Sequence, residues 1–209
     1  MPTSHLLYLH GFRSSPQSAK AQLVAQWMQT HRPDATWWCP QLPPSPQQAM
    51  ALLTDGTADW PTDSSAVIGS SLGGFYATAL AERLGWPAVL LNPAVNPARD
   101  LARHIGETTA WHSDEPFFFR PEFVAQLQSL TPAAITQPER YLAVIAKGDE
   151  VLDWREMHSR YAGCNIKLLE GGDHALSDFD AHLPEVLAFL GLTRNKRRAA
   201  PSVSSPRVG

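Results

Sequence analysis

Cysteine is nearly absent: Cys39 and Cys164 are the only two in 209 residues. One pair in a chain of this size does not make the disulfide framework of a small secreted domain, and two free, buried thiols are expected instead. No cysteine or histidine pair has the spacing of metal ligands, so neither a metal centre nor a cofactor is expected. Long apolar runs are lacking too. Residues 1–5 contain no Lys or Arg, and the apolar run that follows, residues 6–9, is too short for a signal peptide or a membrane span. The expectation is a cytoplasmic protein. The glycine-rich stretch 69–74 does not end in Lys-Ser or Lys-Thr, which excludes a P-loop.

Basic charge is scarce except at the end of the chain. Residues 192–209 hold Arg194, Lys196, Arg197, Arg198 and Arg207 and no acid, while the rest of the chain carries a net charge of −8. An acidic body argues against a nucleic-acid surface. The basic tail is rich in Ser, Pro and Ala, has no apolar period, and is expected to be disordered.

What remains is globular in composition, with 44% hydrophobic and 18% charged residues, and residues 1–191 are expected to form one domain. Six short apolar runs read as strands: 5–10, 35–39, 66–70, 87–91, 141–146 and 166–170. Their lack of alternation suits buried parallel strands. Helix-like stretches lie between them. Ser15 with Pro16 is read as the start of the first helix, and Ser45-Pro46-Gln47-Gln48 as a capping box that starts the second. The right-handed crossover rule then predicts a doubly wound sheet of order 2-1-3-4-5-6 with helices on both faces. The interval 93–139 is too long for a simple crossover. Its two helical pieces, 97–104 and 121–130, suggest a small helical lid, with Trp111, Phe117, Phe118 and Phe119 as apolar wall of a substrate pocket. The last helix, 177–190, contains Pro184, so it either bends there or starts late.

The chemistry centres on Gly69-Ser70-Ser71-Leu72-Gly73. This is a G-x-S-x-G pattern between an apolar strand and a helix, the setting of a nucleophile elbow. Ser71 needs a base, and the base needs an acid to fix its tautomer. Two later strand ends supply candidates in the order serine, acid, histidine. Lys147-Gly148-Asp149-Glu150 follows the fifth strand and Gly171-Gly172-Asp173-His174 the sixth. His174 is the downstream histidine that follows a strand. Asp149 is the first carboxylate after the fifth strand, with Glu150 and Asp153 read as ordinary helix-N-terminal acids and Asp173 as a turn residue. The oxyanion donors expected are the backbone N–H groups of Leu72 and of Phe12, the latter in a turn loosened by Gly11. His10 reads as structural packing beneath that turn.

These residues resemble the YqiA-type esterase family of the α/β-hydrolase superfamily. The resemblance rests on residues 6–16 with Ser18 and Lys20, on residues 69–77 and 91–94, and on the stretches 148–153 and 171–174. It spans about residues 4–191. It implies a compact α/β-hydrolase fold without N-terminal antiparallel strands. It also implies hydrolysis of small carboxylic esters or acyl thioesters, with Ser71, Asp149 and His174 as the triad. The alternatives are a hydrolase of another bond, peptide or carbon–carbon, and a catalytically silent hydrolase fold used for binding.

Overall fold

The computed structural model describes residues 2–109 and 116–193. Six strands form one parallel sheet: β1 (His5–Leu9), β2 (Thr36–Trp38), β3 (Ser65–Ser70), β4 (Ala88–Leu91), β7 (Tyr141–Ala146) and β8 (Asn165–Leu169). They lie in the order β2-β1-β3-β4-β7-β8. Counting only these strands, that is the expected 2-1-3-4-5-6. The numbering differs because the interval before β7 contributes two more strands.

Alternate residues of each strand enter opposite cores, because successive side chains on a strand point to opposite faces. On one face Leu6, Tyr8, Ala66, Ile68, Val89 and Leu91 pack against α1 (Ala19–His31) and α7 (Phe179–Phe189). On the other, Leu7, Leu9, Val67, Leu90, Ala143 and Ile145 meet α2 (Pro46–Gly56), α3 (Leu72–Leu84) and α6 (Trp154–Arg160). Both faces are therefore dry, which is why β3, β4 and β7 are buried at every position.

A local signal accounts for the start of α2. Ser45 Oγ accepts the N–H of Gln48 at 3.3 Å, and Pro46 opens α2. The first helix starts later than expected. Ser15 accepts the N–H of Gln17 on its hydroxyl and that of Ser18 on its carbonyl, so 15–18 is a turn and Ser18 becomes the N-cap of α1. The last helix starts at Phe179, two residues after the expected 177, and runs through Pro184 instead of starting there. Proline there leaves the carbonyl one turn earlier, that of Asp180, without its helical donor.

The interval 93–139 holds both expected helical pieces, 97–104 and 121–130, with an unexpected strand pair between them. After α4 (Pro97–Leu101) and a 3-10 turn (Ala102–His104), β5 (Gly106–Thr109) pairs antiparallel with β6 (Pro116–Phe119), before α5 (Pro121–Leu130). Phe117, Phe118 and Phe119, read as pocket wall, are thus strand residues. In register, Glu107 pairs with Phe118 and Thr108 with Phe117, and threonine and phenylalanine both favour strand over helix. Trp111 and the basic tail from residue 194 lie outside the described residues. Among the described residues, no helix is long and apolar enough to cross a membrane.

Candidate active site

The turn between β3 and α3 holds Ser71 at φ 53° and ψ −118°. A non-glycine residue rarely adopts a positive φ, and the surrounding structure has to hold it there. The Ser71 N–H donates to Leu91 O at 3.0 Å, and Ser71 O accepts from Gly74 and Ala94. The flanking glycines make the turn possible. A Cβ on Gly69 would sit 2.3 Å from Gly73 O, and one on Gly73 would sit 2.0 Å from Leu9 O. Strand, turn and helix can approach only because both positions lack a side chain.

Two further loops converge on the serine. His174 Nε2 lies 2.9 Å from Ser71 Oγ, and His174 Nδ1 lies 2.7 Å from Asp149 Oδ2. Asp149 lies three residues beyond the end of β7 and its side chain is 0% exposed. Its other oxygen accepts the N–H groups of Val151 and Leu152, each at 2.8 Å. Those bonds compensate the buried carboxylate and aim Oδ2 at the ring. The loops after β7 and β8 lie against each other, and a Cβ on Gly148 would come within 2.2 Å of Gly172 O. The sequence pattern thus named three residues that the fold brings into one hydrogen-bonded line.

The rival acids do other work. Asp153 caps α6 by accepting the N–H of Arg155 at 2.9 Å. Asp173 accepts the N–H and hydroxyl of Ser177, which hold its carboxyl below the usual range. Glu150 differs from the helix-terminal role read for it, because its Oε2 accepts the backbone N–H of His174 at 2.9 Å. The His174 segment is also held by Lys20, which donates to Ala175 O, and by Asn92, which donates to Asp173 O and His174 O. Burial pulls the Lys20 ammonium below its ordinary value, against the opposing pull of Asp173 and Asp149. Asn92 and Glu150 carry no local pattern that marks these contacts. Their partners are 81, 82 and 24 residues away.

The turn after β1 forms the facing wall. Ser14 N donates to Gly11 O at 3.2 Å, and Arg13 sits at φ 57°. His10 fixes this turn from below. Its Nε2 accepts the N–H of Leu42 at 3.0 Å, so the neutral ring carries its proton on Nδ1, which donates to Gly11 O at 2.9 Å. Burial lowers the His10 pKa below its usual value, and the bond to Gly11 opposes that shift. The structural role read for His10 is the one observed.

A cavity of about 480 Å³ opens over Ser71 and His174, and Phe12, Leu72, Pro97, Leu101 and Leu152 supply apolar wall. Both residues read as oxyanion donors border it. Leu72 is the first residue of α3, so its N–H has no carbonyl partner within the helix. The expected aromatic wall is placed differently. Phe119 is buried behind Phe12, meeting it edge-on at 5.7 Å, and packs on Phe123. Phe118 is 51% exposed and borders a separate depression with Pro44, Gln47 and Arg120. Neither lines the cavity at Ser71. Trp111 and the Phe117 side chain are outside the described residues. Cys39 and Cys164 are half-buried free thiols, which burial pushes up to about 12 and about 11.

Solved structures share this architecture. Alpha/beta hydrolase domain-containing protein 10 from mouse superposes with a TM-score of 0.66 at 14% identity, over 90% of this chain and 91% of that one. Est1E from Butyrivibrio proteoclasticus, solved with ferulic acid bound, gives a TM-score of 0.61 at 14% identity, over 91% of this chain and 87% of that one. An alpha/beta superfamily hydrolase from Oenococcus oeni PSU-1 gives 0.57 at 15% identity, over 91% and 94%. At such identities the likeness concerns the fold, which is that of the α/β hydrolases. Residues 5–191 match the model of one family throughout, so the chain belongs to the YqiA-like uncharacterised protein family UPF0227.

Proposed function

We propose that this protein is a serine hydrolase that cleaves small carboxylic esters or acyl thioesters through an acyl-enzyme. The observation that carries the reading is the line Ser71 Oγ, His174 Nε2, His174 Nδ1, Asp149 Oδ2, with spacings of 2.9 and 2.7 Å. In this scheme the Ser71 Oγ–H proton passes to His174 Nε2 as Oγ bonds to the acyl carbon. The carbonyl electron pair moves onto oxygen, which the N–H groups of Phe12 and Leu72 stabilise. Collapse breaks the bond to the leaving alcohol or thiol, which takes the proton back from Nε2. A water then repeats the sequence and releases the acid. Asp149 keeps the ring in the tautomer whose Nε2 can accept a proton.

The cavity supports a small substrate. Its volume of about 480 Å³ lies toward the lower end of small-molecule sites. Est1E holds ferulic acid on the same fold, and the analogous product here is a small carboxylic acid. The test is labelling by a fluorophosphonate, followed by kcat/KM over p-nitrophenyl esters and matched thioesters of rising acyl length. We expect labelling in the wild type and none in Ser71→Ala, with kcat/KM rising over the first carbons and then falling. Labelling that persists in Ser71→Ala refutes the nucleophile. A steady rise to long chains, measured below their aggregation limit, refutes the small pocket.

A further inference from the structure

The end of β4 carries a buried polar residue that the hydrolytic scheme leaves without a task. Asn92 is 0% exposed, and its backbone is left-handed at φ 41°. Its backbone N–H donates to Val144 O on β7 at 2.9 Å. Its carboxamide is divided between the end of β7 and the turn after β8. Oδ1 accepts the N–H of Ala146 at 2.8 Å, while Nδ2 donates to Asp173 O at 3.0 Å and to His174 O at 3.2 Å. Ala146 is the last residue of β7, three before Asp149. One side chain therefore ties the strand that delivers the acid to the turn that delivers the base.

The chemistry of these contacts is specific to an amide. A carboxamide accepts at one end and donates two hydrogens at the other. A carboxylate would keep the bond from Ala146 but turn an acceptor toward two carbonyls. An apolar side chain would leave a buried N–H and two carbonyls short of this partner. Asparagine also tolerates the left-handed backbone better than most residues. Only small errors in the separation of these loops can be absorbed, because Asp149 is fully buried and held by its own two amide donors.

We propose that Asn92 is a positioning residue for the Ser71–His174–Asp149 line. It sets the spacing between the loops after β7 and β8, so that the imidazole faces acid and nucleophile at once. This rests on the reading of Ser71 as the nucleophile.

The test compares wild type, Ser71→Ala, Asn92→Asp and Asn92→Gly as full-length proteins. Asn92→Asp keeps the acceptor and removes the donors. Asn92→Gly removes all side-chain bonds while suiting the positive φ. Hydrolysis of p-nitrophenyl butyrate gives kcat and KM. Proton NMR follows the deshielded His174 Nδ1 proton, identified by its absence from His174→Gln. Thermal melts report folding. Displacements on the order of 1 Å at a reacting group cost about a hundredfold. We therefore expect kcat to fall about tenfold to a hundredfold in a folded Asn92→Asp or Asn92→Gly, with KM within about twofold and the deshielded proton shifted or lost. A folded variant with wild-type kcat and an unshifted proton overturns the proposal. So does failure of both variants to fold, which would make Asn92 a requirement of the fold and not of the site. Full hydrolysis by Ser71→Ala removes the nucleophile and the proposal with it. An inactive Ser71→Ala beside wild-type kinetics in the Asn92 variants removes the proposal alone.

Discussion

Glu150 accepts the backbone N–H of His174 while its neighbour Asp149 faces the His174 ring. Two consecutive carboxylates thus hold one histidine, one by its main chain and one by its side chain. The bond to Glu150 is exposed to solvent, so its net value is that of an ordinary hydrogen bond, about 0.5–1.5 kcal/mol. We expect Glu150→Ala to lower kcat by about twofold to tenfold, with Glu150→Gln, which still offers an acceptor, falling less. Steady-state kinetics on a p-nitrophenyl ester read the difference. Equal losses in both variants would show that charge, not the hydrogen bond, matters.

The residues of the central line should differ sharply from their acidic neighbour. Ser71→Ala is expected to lower turnover by about 10³-fold or more, and Asp149→Asn nearly as much. Asp153→Asn should cost little, because Asp153 is occupied in capping α6. A large loss at Asp153 with none at Asp149 would reverse the assignment of the acid.

Gly73 is predicted to reject even one methyl group. The added carbon would sit 2.0 Å from Leu9 O and 2.7 Å from His10 O, and both acceptors are backbone atoms that move only with β1. Overpacking in a close-packed interior costs about 1–3 kcal/mol or more. Gly73→Ala should lower the melting temperature and reduce activity together. Gly171→Ala, where nothing lies within 4 Å of the new carbon, is the control. A Gly73→Ala melt equal to wild type would contradict the packing.

Stability should decline on acidification through His10. Burial holds its folded pKa below the ordinary 6.5, so below that value the unfolded chain binds protons that the folded chain refuses. The contribution is therefore fully present above about pH 6.5 and is lost as the pH falls through the window beneath it. Melting temperatures from pH 7.5 to 5 should slope downward, and His10→Gln, which can still accept from Leu42 without titrating, should flatten the slope. His104 is shifted in the same direction, first by burial and then by Arg103 and Arg13, and leaves a residual slope. An identical slope in His10→Gln would exclude His10 as its source.

What could be read from the sequence was whatever is encoded by near neighbours. Continuous apolar runs marked the six strands of the main sheet, because both faces of that sheet are covered. Ser45-Pro46 marked a helix start, and G-x-S-x-G marked a turn that only small residues allow. Strand order followed from the handedness of crossovers, and the acid and histidine from their places after strand ends. Other features escaped these signals. Ser15 and Pro16 looked like a helix cap until Ser18 proved to be the cap, with 15–18 closing a turn. Phe118 and Phe119 had the composition of a pocket wall, yet strand pairing in β6 turned one to solvent and the other behind Phe12. Glu150 and Asn92 gave no local sign of their bonds to the His174 turn, because those contacts exist only once β4, β7 and β8 lie side by side. Chain-local sterics and periodicity can be read along one dimension. Which polar atoms meet across loops is decided only when the sheet has brought their strands together.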